Sequence, residues 1–191
     1  MKKNKLPMNL PNRLTMLRIA MIPVYLLLLT GGNWCRFAAG LVFAAASITD
    51  YFDGRIARER SLITDFGKFM DPIADKLLVL LPFMYFCATE PFGVADVWPV
   101  MLMVAREIIV SGFRLVASTK GKVIAADKFG KVKTATQMVT VITMTLRPII
   151  ESAIPWFGKI PWALLWLCGV LSVYSGAEMI RKNLHILEVE E

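Results

Sequence analysis

The sequence predicts an all-α polytopic membrane protein with six transmembrane helices and a short N-terminal interfacial helix. Hydrophobic residues make up 56% of the 191 residues, a high fraction for a soluble domain. Six apolar stretches approach or exceed the roughly 18 residues that read as a membrane-spanning helix. A chain of this length suits one domain, so residues 1–191 are expected to form a single membrane domain.

The predicted elements follow one another with short connections. Residues 6–18, LPMNLPNRLTMLR, mix polar and apolar side chains around two prolines, which is typical of a helix at the membrane interface. No small-residue cleavage site closes the first apolar stretch, so a cleaved signal peptide is not expected. In chain order, the six predicted spans are 14–30, 34–57, 69–89, 94–117, 132–150 and 160–180.

The basic residues predict the orientation of these spans. Fourteen of the 22 Lys and Arg residues lie at the chain ends or around the connections after the second and fourth spans, whereas only Arg36, Arg147 and Lys159 lie on the opposite side. Basic residues favour the cytoplasmic side, so both termini are predicted to be cytoplasmic in an inner or plasma membrane. The net charge of +7 then reflects topology and attraction to anionic lipids. No basic stripe typical of nucleic-acid binding is visible in the sequence.

The cysteines do not suggest a covalent framework. Cys35, Cys87 and Cys168 are dispersed, odd in number and without CxxC spacing. Neither a disulfide framework nor a zinc site is therefore expected, and packing is the better interpretation.

Four aspartates lie where the composition predicts lipid. Asp50 and Asp53 end the second span, and Asp71 and Asp75 begin the third, all on the predicted cytoplasmic side. Ionisable residues at the centre of a span cost about 2.5–3.5 kcal/mol each on insertion scales and usually mark function. Helical residues at i, i+3, i+4 and i+7 share a face, which gives two stripes: Asp50, Asp53, Gly54 and Ala57, then Gly67, Asp71 and Asp75.

These two stripes predict a metal site. The linker between the helices is short, so they are expected to be antiparallel neighbours whose four carboxylates converge. Four negative charges at close range repel one another, and hard divalent cations with oxygen ligands are the natural counter-charge. Two such ions about 3.5–4 Å apart would clamp a phosphoryl group, and Arg58 would add positive charge for a phosphate. The small residues would leave room for a flat base or a sugar: Gly54, Ala57 and Gly67.

The alternative is a purely structural role for these residues. Asp50 and Asp53 would then be helix-end residues paired with Arg55 and Arg58, and the small residues would serve helix packing. Two arginines do not neutralise four carboxylates, so we favour the metal site. Arg55 has no assigned role.

Residues 50–75, DYFDGRIARERSLITDFGKFMDPIAD, resemble the signature of the CDP-alcohol phosphotransferase family, D-x2-D-G-x2-A-R-x8-G-x3-D-x3-D. Every fixed position matches, and agreement at this many positions is not expected by chance in a chain this short. The resemblance implies six transmembrane helices, a homodimer, and a site for Mg²⁺ or Mn²⁺ with two ions expected. It also implies a CDP-linked donor and release of CMP.

The same resemblance implies roles for the individual residues. Asp50, Asp53 and Asp71 would hold metal, and Asp75 would lie beside the metals and act as base toward the acceptor hydroxyl. Phosphoryl transfer needs positioning and charge neutralisation more than covalent help. The only histidine, His185, lies in the C-terminal tail, so direct displacement is expected rather than a histidine nucleophile. The donor would be bordered by Asp50, Asp53, Gly54, Ala57, Arg58, Gly67 and Asp71.

Basic residues of the fourth and fifth spans predict an anionic acceptor. The fourth span carries Arg106 and Arg114 on roughly one face, and GKVKTATQM carries Lys131 and Lys133. Such a set suits a phosphate monoester. The alternative is that Arg106 only pairs with Glu107 and that the lysines only set topology. For arginines inside an apolar helix we favour function.

Two residues of the first span are further candidates for acceptor binding. Thr15 equally suits a helix cap. Arg18 equally suits a side chain that extends to the interface.

Four strings resemble the members of this family that use glycerol 3-phosphate: NLPNRLTMLR, GKFMDPIADK, AREIIVSGFR and GKVKTATQM. This likeness covers roughly three quarters of the chain. It implies attack by the primary hydroxyl of glycerol 3-phosphate on the lipid-side phosphorus of CDP-diacylglycerol at the cytoplasmic face. Phosphatidylglycerophosphate and CMP would be the products.

Three alternatives stay open on the sequence alone. One is a family member with another acceptor, such as serine, inositol phosphate or phosphatidylglycerol. The second is a membrane prenyltransferase, which the pattern of Gly54, Ala57 and Arg58 disfavours. The third is a cation transporter, whose carboxylates would lie near mid-membrane.

Overall fold

The computed structural model is all-helical in the residues that it describes, which are 9–59, 64–89, 97–122, 124 and 128–186. Within these, the side chains of residues 50–59, 65, 68 and 128 are outside the description. The predicted all-α class is confirmed for the described residues. In this part of the chain, six α-helices follow one another: α1 (Leu10–Leu29), α2 (Asn33–Glu59), α3 (Asp65–Thr89), α4 (Val97–Thr119), α5 (Lys128–Glu151) and α6 (Lys159–Asn183). Short 3-10 helices cover Pro155–Gly158 and Leu184–Ile186.

Three described helical stretches are long and apolar enough to cross a membrane: Leu10–Leu29, Phe69–Thr89 and Pro155–Ile186. The helices α2, α4 and α5, with 27, 23 and 24 residues, also exceed the roughly 20 residues needed to span the hydrocarbon core. They carry more charge within their length, for example Arg106 and Glu107 in α4. The apolar helices therefore fit an integral membrane protein, and six spans stay a prediction.

The start of the chain differs from the predicted interfacial helix. Residues 10–18 form the first part of α1, which continues without a break to Leu29; residues 6–8 lie outside the described part. Asn9 caps the helix, because its Oδ1 accepts the backbone N–H of Asn12 at 3.1 Å. Pro11 lies in the first turn, where its missing N–H removes no helical hydrogen bond. The cap and the proline thus start one long helix instead of a separate short one.

Residues 1–85 and 141–155 form one compact unit. In it, α1 and α2 pack against each other. The rings of Tyr25 and Phe43 lie 5.4 Å apart between their centroids. The Tyr25 hydroxyl makes a 2.8 Å hydrogen bond with the Thr145 hydroxyl. This buried core fixes the position of α1, which carries the polar residues described below.

Residues 86–140 and 156–191 form a second compact unit. Its helices α4 and α6 pack closely because α6 presents small residues. A Cβ atom added to Gly169 would lie 3.0 Å from the Cβ of Pro99, so the backbone of α4 passes directly over this glycine. The expectation of a single domain stays a prediction.

Candidate active site

One face of α1 is buried, and this face is polar at the start of the helix and apolar towards its end. Asn12, Thr15 and Arg18 are 2%, 1% and 0% exposed, and apolar residues such as Ile22 and Leu29 continue the face. Polar groups at this depth need hydrogen-bond partners, because their burial without them is costly. The partners described next lie at the start of α3.

Asn12 contacts the residue that caps α3. Its side-chain nitrogen donates to Thr64 Oγ1 at 2.9 Å. The same oxygen accepts the backbone N–H of Gly67 at 3.0 Å, as an N-cap does. A Cβ added to Gly67 would lie 2.9 Å from Asn12 Oδ1 and 3.8 Å from Asp71 Oδ2. The missing side chain therefore lets Asn12 of α1 approach the start of α3, and the nearest side-chain atoms are oxygens.

Thr15 contacts the first described carboxylate of the signature. Its hydroxyl lies 2.6 Å from Asp71 Oδ1 and 3.1 Å from the backbone oxygen of Pro11. A hydroxyl has one proton, and a bond to an ionised carboxylate is the stronger of the two. Thr15 therefore orients the carboxylate of Asp71.

Arg18 contacts the second described carboxylate. Its Nη1 donates to Asp75 Oδ1 at 2.8 Å, and the two side chains are 0% and 52% exposed. The guanidinium is thus fixed in the protein interior while much of the carboxylate faces outward. We name the three contacts together the α1–α3 ladder: Asn12 with Thr64, Thr15 with Asp71, and Arg18 with Asp75.

The ladder shows where some of the predicted site residues lie. Asp71 and Asp75 are one turn apart on α3, as their spacing predicted. Residues 50–58 lie in the helical backbone of α2, as the first stripe requires. The convergence of the four carboxylates stays a prediction, because the side chains or surroundings of several signature residues lie outside the described part: Asp50, Asp53, Gly54, Ala57 and Arg58.

The described oxygens suit a hard divalent cation. Asn12 Oδ1, Thr64 Oγ1 and Asp71 Oδ2 lie 2.9, 3.3 and 3.8 Å from the Cβ position of Gly67, and oxygen donors are what Mg²⁺ and Mn²⁺ prefer. No group of three or more His, Cys, Asp or Glu residues is found among the residues whose placement is described. That search does not reach the two predicted ligands of α2.

The structure does not place Thr15 as a helix cap, and it does not place Arg18 at the membrane interface. Thr15 does not cap α1, because Asn9 does, and Arg18 is completely buried rather than extended to an interface. Both side chains instead hold aspartates of α3. Sequence reasoning missed Asn12 and Thr64. Asn12 could have been found because it lies at helical spacing from Thr15 and Arg18. Thr64 could have been found because a threonine three residues before Gly67 suits an N-cap.

A second group of charges lies in the other unit. Glu107 Oε1 accepts from Arg106 Nη1 at 2.8 Å and also from Lys133 Nζ. The side chains of Arg106, Glu107 and Lys133 are 13%, 14% and 7% exposed. One carboxylate thus holds two of the predicted acceptor cations together, with a formal charge of +1. Arg114 and Lys131 are exposed.

The ion pair that the alternative interpretation of Arg106 required is therefore present. This ion pair does not neutralise all of the positive charge of Arg106 and Lys133, because both cations share the single carboxylate of Glu107. Binding of an acceptor phosphate by these residues stays a proposal.

A sequence profile of CDP-alcohol phosphatidyltransferases matches residues 8–174. The chain belongs to this family. It is 35% identical to the CDP-diacylglycerol–glycerol-3-phosphate 3-phosphatidyltransferase of Bacillus subtilis (strain 168), over 94% of this chain and 97% of the relative. Proteins of the same name from Escherichia coli (strain K12) and Shigella flexneri serotype 5b are each 38% identical, over 87% of this chain and 90% of the relative. The family generally uses divalent metal ions, which agrees with the oxygen donors around Gly67.

For this CDP-alcohol phosphatidyltransferase, we predict that Thr15→Val weakens metal binding and slows turnover by about 10- to 100-fold, the usual effect of losing a group that orients a metal ligand. Valine nearly matches the shape of threonine but lacks the hydroxyl that contacts Asp71. Thr15→Ser keeps the hydroxyl and serves as the control. Titration of the purified protein with Mn²⁺, followed by electron paramagnetic resonance, measures the affinity. Equal Mn²⁺ affinity in both variants would show that the contact does not orient a ligand.

Proposed function

We propose that this family member transfers the phosphatidyl group of CDP-diacylglycerol to glycerol 3-phosphate, forming phosphatidylglycerophosphate and releasing CMP. The observation that carries the proposal is the placement of two signature carboxylates, Asp71 and Asp75, on one face of α3 with fixed partners from α1. The names of relatives at 35% and 38% identity support the same substrates.

The proposed donor site combines both stripes of the signature. Asp50, Asp53, Asp71 and Asp75 would hold one or two Mg²⁺ or Mn²⁺ ions, which neutralise the charge of the diphosphate when bound. Gly67 supports this assignment, because the space that its missing side chain leaves is lined by oxygens. Residues proposed to border the nucleotide are Gly54, Ala57, Arg58 and Gly67.

Asp75 is proposed to act as the base. The primary hydroxyl oxygen of glycerol 3-phosphate forms a bond to the lipid-side phosphorus, and the bond from that phosphorus to the CMP oxygen breaks. The hydroxyl proton passes to the carboxylate of Asp75. Two features support this role: Arg18 holds one carboxylate oxygen in place, and the side chain is 52% exposed and so accessible to a substrate.

The proposed acceptor-phosphate residues are Arg106, Arg114, Lys131 and Lys133. For Arg106 and Lys133 the support is a buried pair of cations that share a single carboxylate. Arginine and lysine are the usual ligands of phosphate groups. For Thr15 and Arg18, the contacts with Asp71 and Asp75 support a role in holding the aspartates more than direct acceptor binding.

We further propose the membrane setting that the basic residues predict. Both termini and the active site would face the cytoplasm, where glycerol 3-phosphate is available, and the donor would reach the site from the surrounding lipid. Exposed large apolar side chains on the helices, such as Leu27, Ile108 and Val170, support contact with lipid. A homodimer is proposed from the family resemblance.

Metal removal tests this reaction class. We expect purified protein in vesicles that contain CDP-diacylglycerol to release CMP when glycerol 3-phosphate and Mg²⁺ are present. Excess EDTA should stop the release, and added Mg²⁺ or Mn²⁺ should restore it, because four carboxylates and a diphosphate repel without a cation. Vesicles without protein are the control. Undiminished CMP release in EDTA would contradict the metal site.

A further inference from the structure

The side chain of Arg106 crosses from α4 to α6, where Ser175 holds its end. Its Nη2 donates to Ser175 Oγ at 3.0 Å. Ser175 Oγ itself lies 3.1 Å from the backbone oxygen of Ser172, to which it donates. The hydroxyl proton of Ser175 is thus directed to its own helix, so the oxygen presents a lone pair to the guanidinium.

The next residue of α6 provides the space for this crossing. A Cβ added to Gly176 would lie 2.7 Å from Arg106 Cγ and 3.1 Å from Arg106 Nε. No Cβ fits at the first of these distances without a shift of the arginine side chain. Gly176 is therefore required for the observed path of Arg106, and Ser175 fixes its end.

The fixed guanidinium lies beside a second cation. Arginine presents its N–H groups in a planar fork that matches the oxygens of a phosphate. The neighbouring Lys133 shares Glu107 with Arg106, which adds a second cation beside the first.

We infer that Ser175 and Gly176 are positioning residues that hold Arg106 ready for the phosphate of the acceptor, so that α6 forms part of the acceptor-phosphate site. The inference rests on the proposed function, in which Arg106 binds that phosphate. An arginine side chain has many conformations, and a site that fixes it beforehand loses less entropy when the anion binds. The donor, which carries its own metal-binding diphosphate, does not depend on this arrangement.

The test compares two variants with two matched controls. Ser175→Ala removes the hydrogen bond, and Gly176→Ala fills the space beside Arg106 Cγ. Ser172→Ala is the control for the serine, because Ser172 Oγ is buried without a partner among the described residues. Gly112→Ala is the control for the glycine, because a Cβ there meets nothing within 4 Å. Initial rates of CMP release are measured at varied glycerol 3-phosphate with saturating CDP-diacylglycerol. They are then measured at varied CDP-diacylglycerol with saturating glycerol 3-phosphate.

We expect Ser175→Ala to raise the KM for glycerol 3-phosphate about tenfold, the usual effect of losing a hydrogen bond to a charged group. Gly176→Ala should raise it at least as much. The KM for CDP-diacylglycerol should stay unchanged in both, and both controls should stay within about twofold of wild type. If Gly176→Ala does not fold, as judged by its thermal midpoint, Ser175→Ala decides the question.

A double-mutant cycle separates positioning from a general structural effect. In an Arg106→Ala background, Ser175→Ala should have no further effect on the KM for glycerol 3-phosphate, because Ser175 acts through Arg106. Additive effects, or equal changes in the KM values of both substrates, would overturn the inference. If Arg106→Ala itself leaves the KM for glycerol 3-phosphate unchanged, the proposed acceptor role of Arg106 fails as well. If Arg106→Ala raises that KM but Ser175→Ala and Gly176→Ala do not, only the inference about α6 fails.

Discussion

Asp75→Asn is expected to lower turnover by about 10²–10⁴-fold, the range that a general base contributes, while CDP-diacylglycerol still binds. Asparagine does not accept the proton of the acceptor hydroxyl. Its side-chain oxygen still accepts a hydrogen bond from Arg18, as Asp75 Oδ1 does at 2.8 Å, so the contact between α1 and α3 should persist. CMP release and donor binding, measured on the same purified sample, test both parts of the prediction.

A comparison with Asp75→Ala makes this result interpretable. Alanine removes the Oδ1 atom that accepts from Arg18, whose side chain is fully buried, so this variant should be less thermally stable than Asp75→Asn. If Asp75→Asn loses Mn²⁺ and donor binding together with turnover, Asp75 is mainly a metal ligand. If Asp75→Asn retains full turnover, Asp75 is not the base.

Arg18→Gln is expected to lower turnover by about 10- to 100-fold, because Asp75 loses a buried guanidinium that orients its carboxylate. The effect on thermal stability should be much smaller than that on turnover. The Asp75 side chain is 52% exposed, so water can solvate its charge when the arginine is gone, and exposed partners contribute little to stability. Rates of CMP release and the thermal midpoint of the same preparation measure the two effects.

Arg13→Gln is the matched control for this substitution. Arg13 lies on the same helix five residues earlier, and its side chain is exposed. The control should behave as wild type in both measurements, since exposed substitutions have small effects. Equal losses of turnover in Arg13→Gln and Arg18→Gln would show that net charge matters rather than the contact with Asp75.

The sequence predicted the helices and the polar stripe of α3 well, because apolar stretches and helical spacing are both local features of the chain. The apolar stretch 34–57 predicted the second span, and α2 runs from Asn33 to Glu59. The spacing of Gly67, Asp71 and Asp75 likewise determined that they share one face. Such features need no knowledge of the rest of the fold.

The partners of these residues were not predictable in the same way. Helical spacing shows that Thr15 and Arg18 share a face, but it does not show which residues of another helix lie opposite. The α1–α3 ladder depends on how closely the two helices approach each other at Gly67. That close approach is possible because glycine has no side chain there. Similarly, Ser175 and Gly176 have the composition of ordinary helix packing, and only their contact with Arg106 distinguishes them.

The acceptor assignment is tested most directly by measuring CMP release from CDP-diacylglycerol with a panel of acceptors. Purified protein in lipid vesicles with Mg²⁺ is supplied in turn with glycerol 3-phosphate, serine, inositol phosphate and phosphatidylglycerol, and the lipid product is identified by mass. We predict CMP release and phosphatidylglycerophosphate with glycerol 3-phosphate, and only background release with the others. If serine supports CMP release and glycerol 3-phosphate has no effect on that release, the proposed function is contradicted.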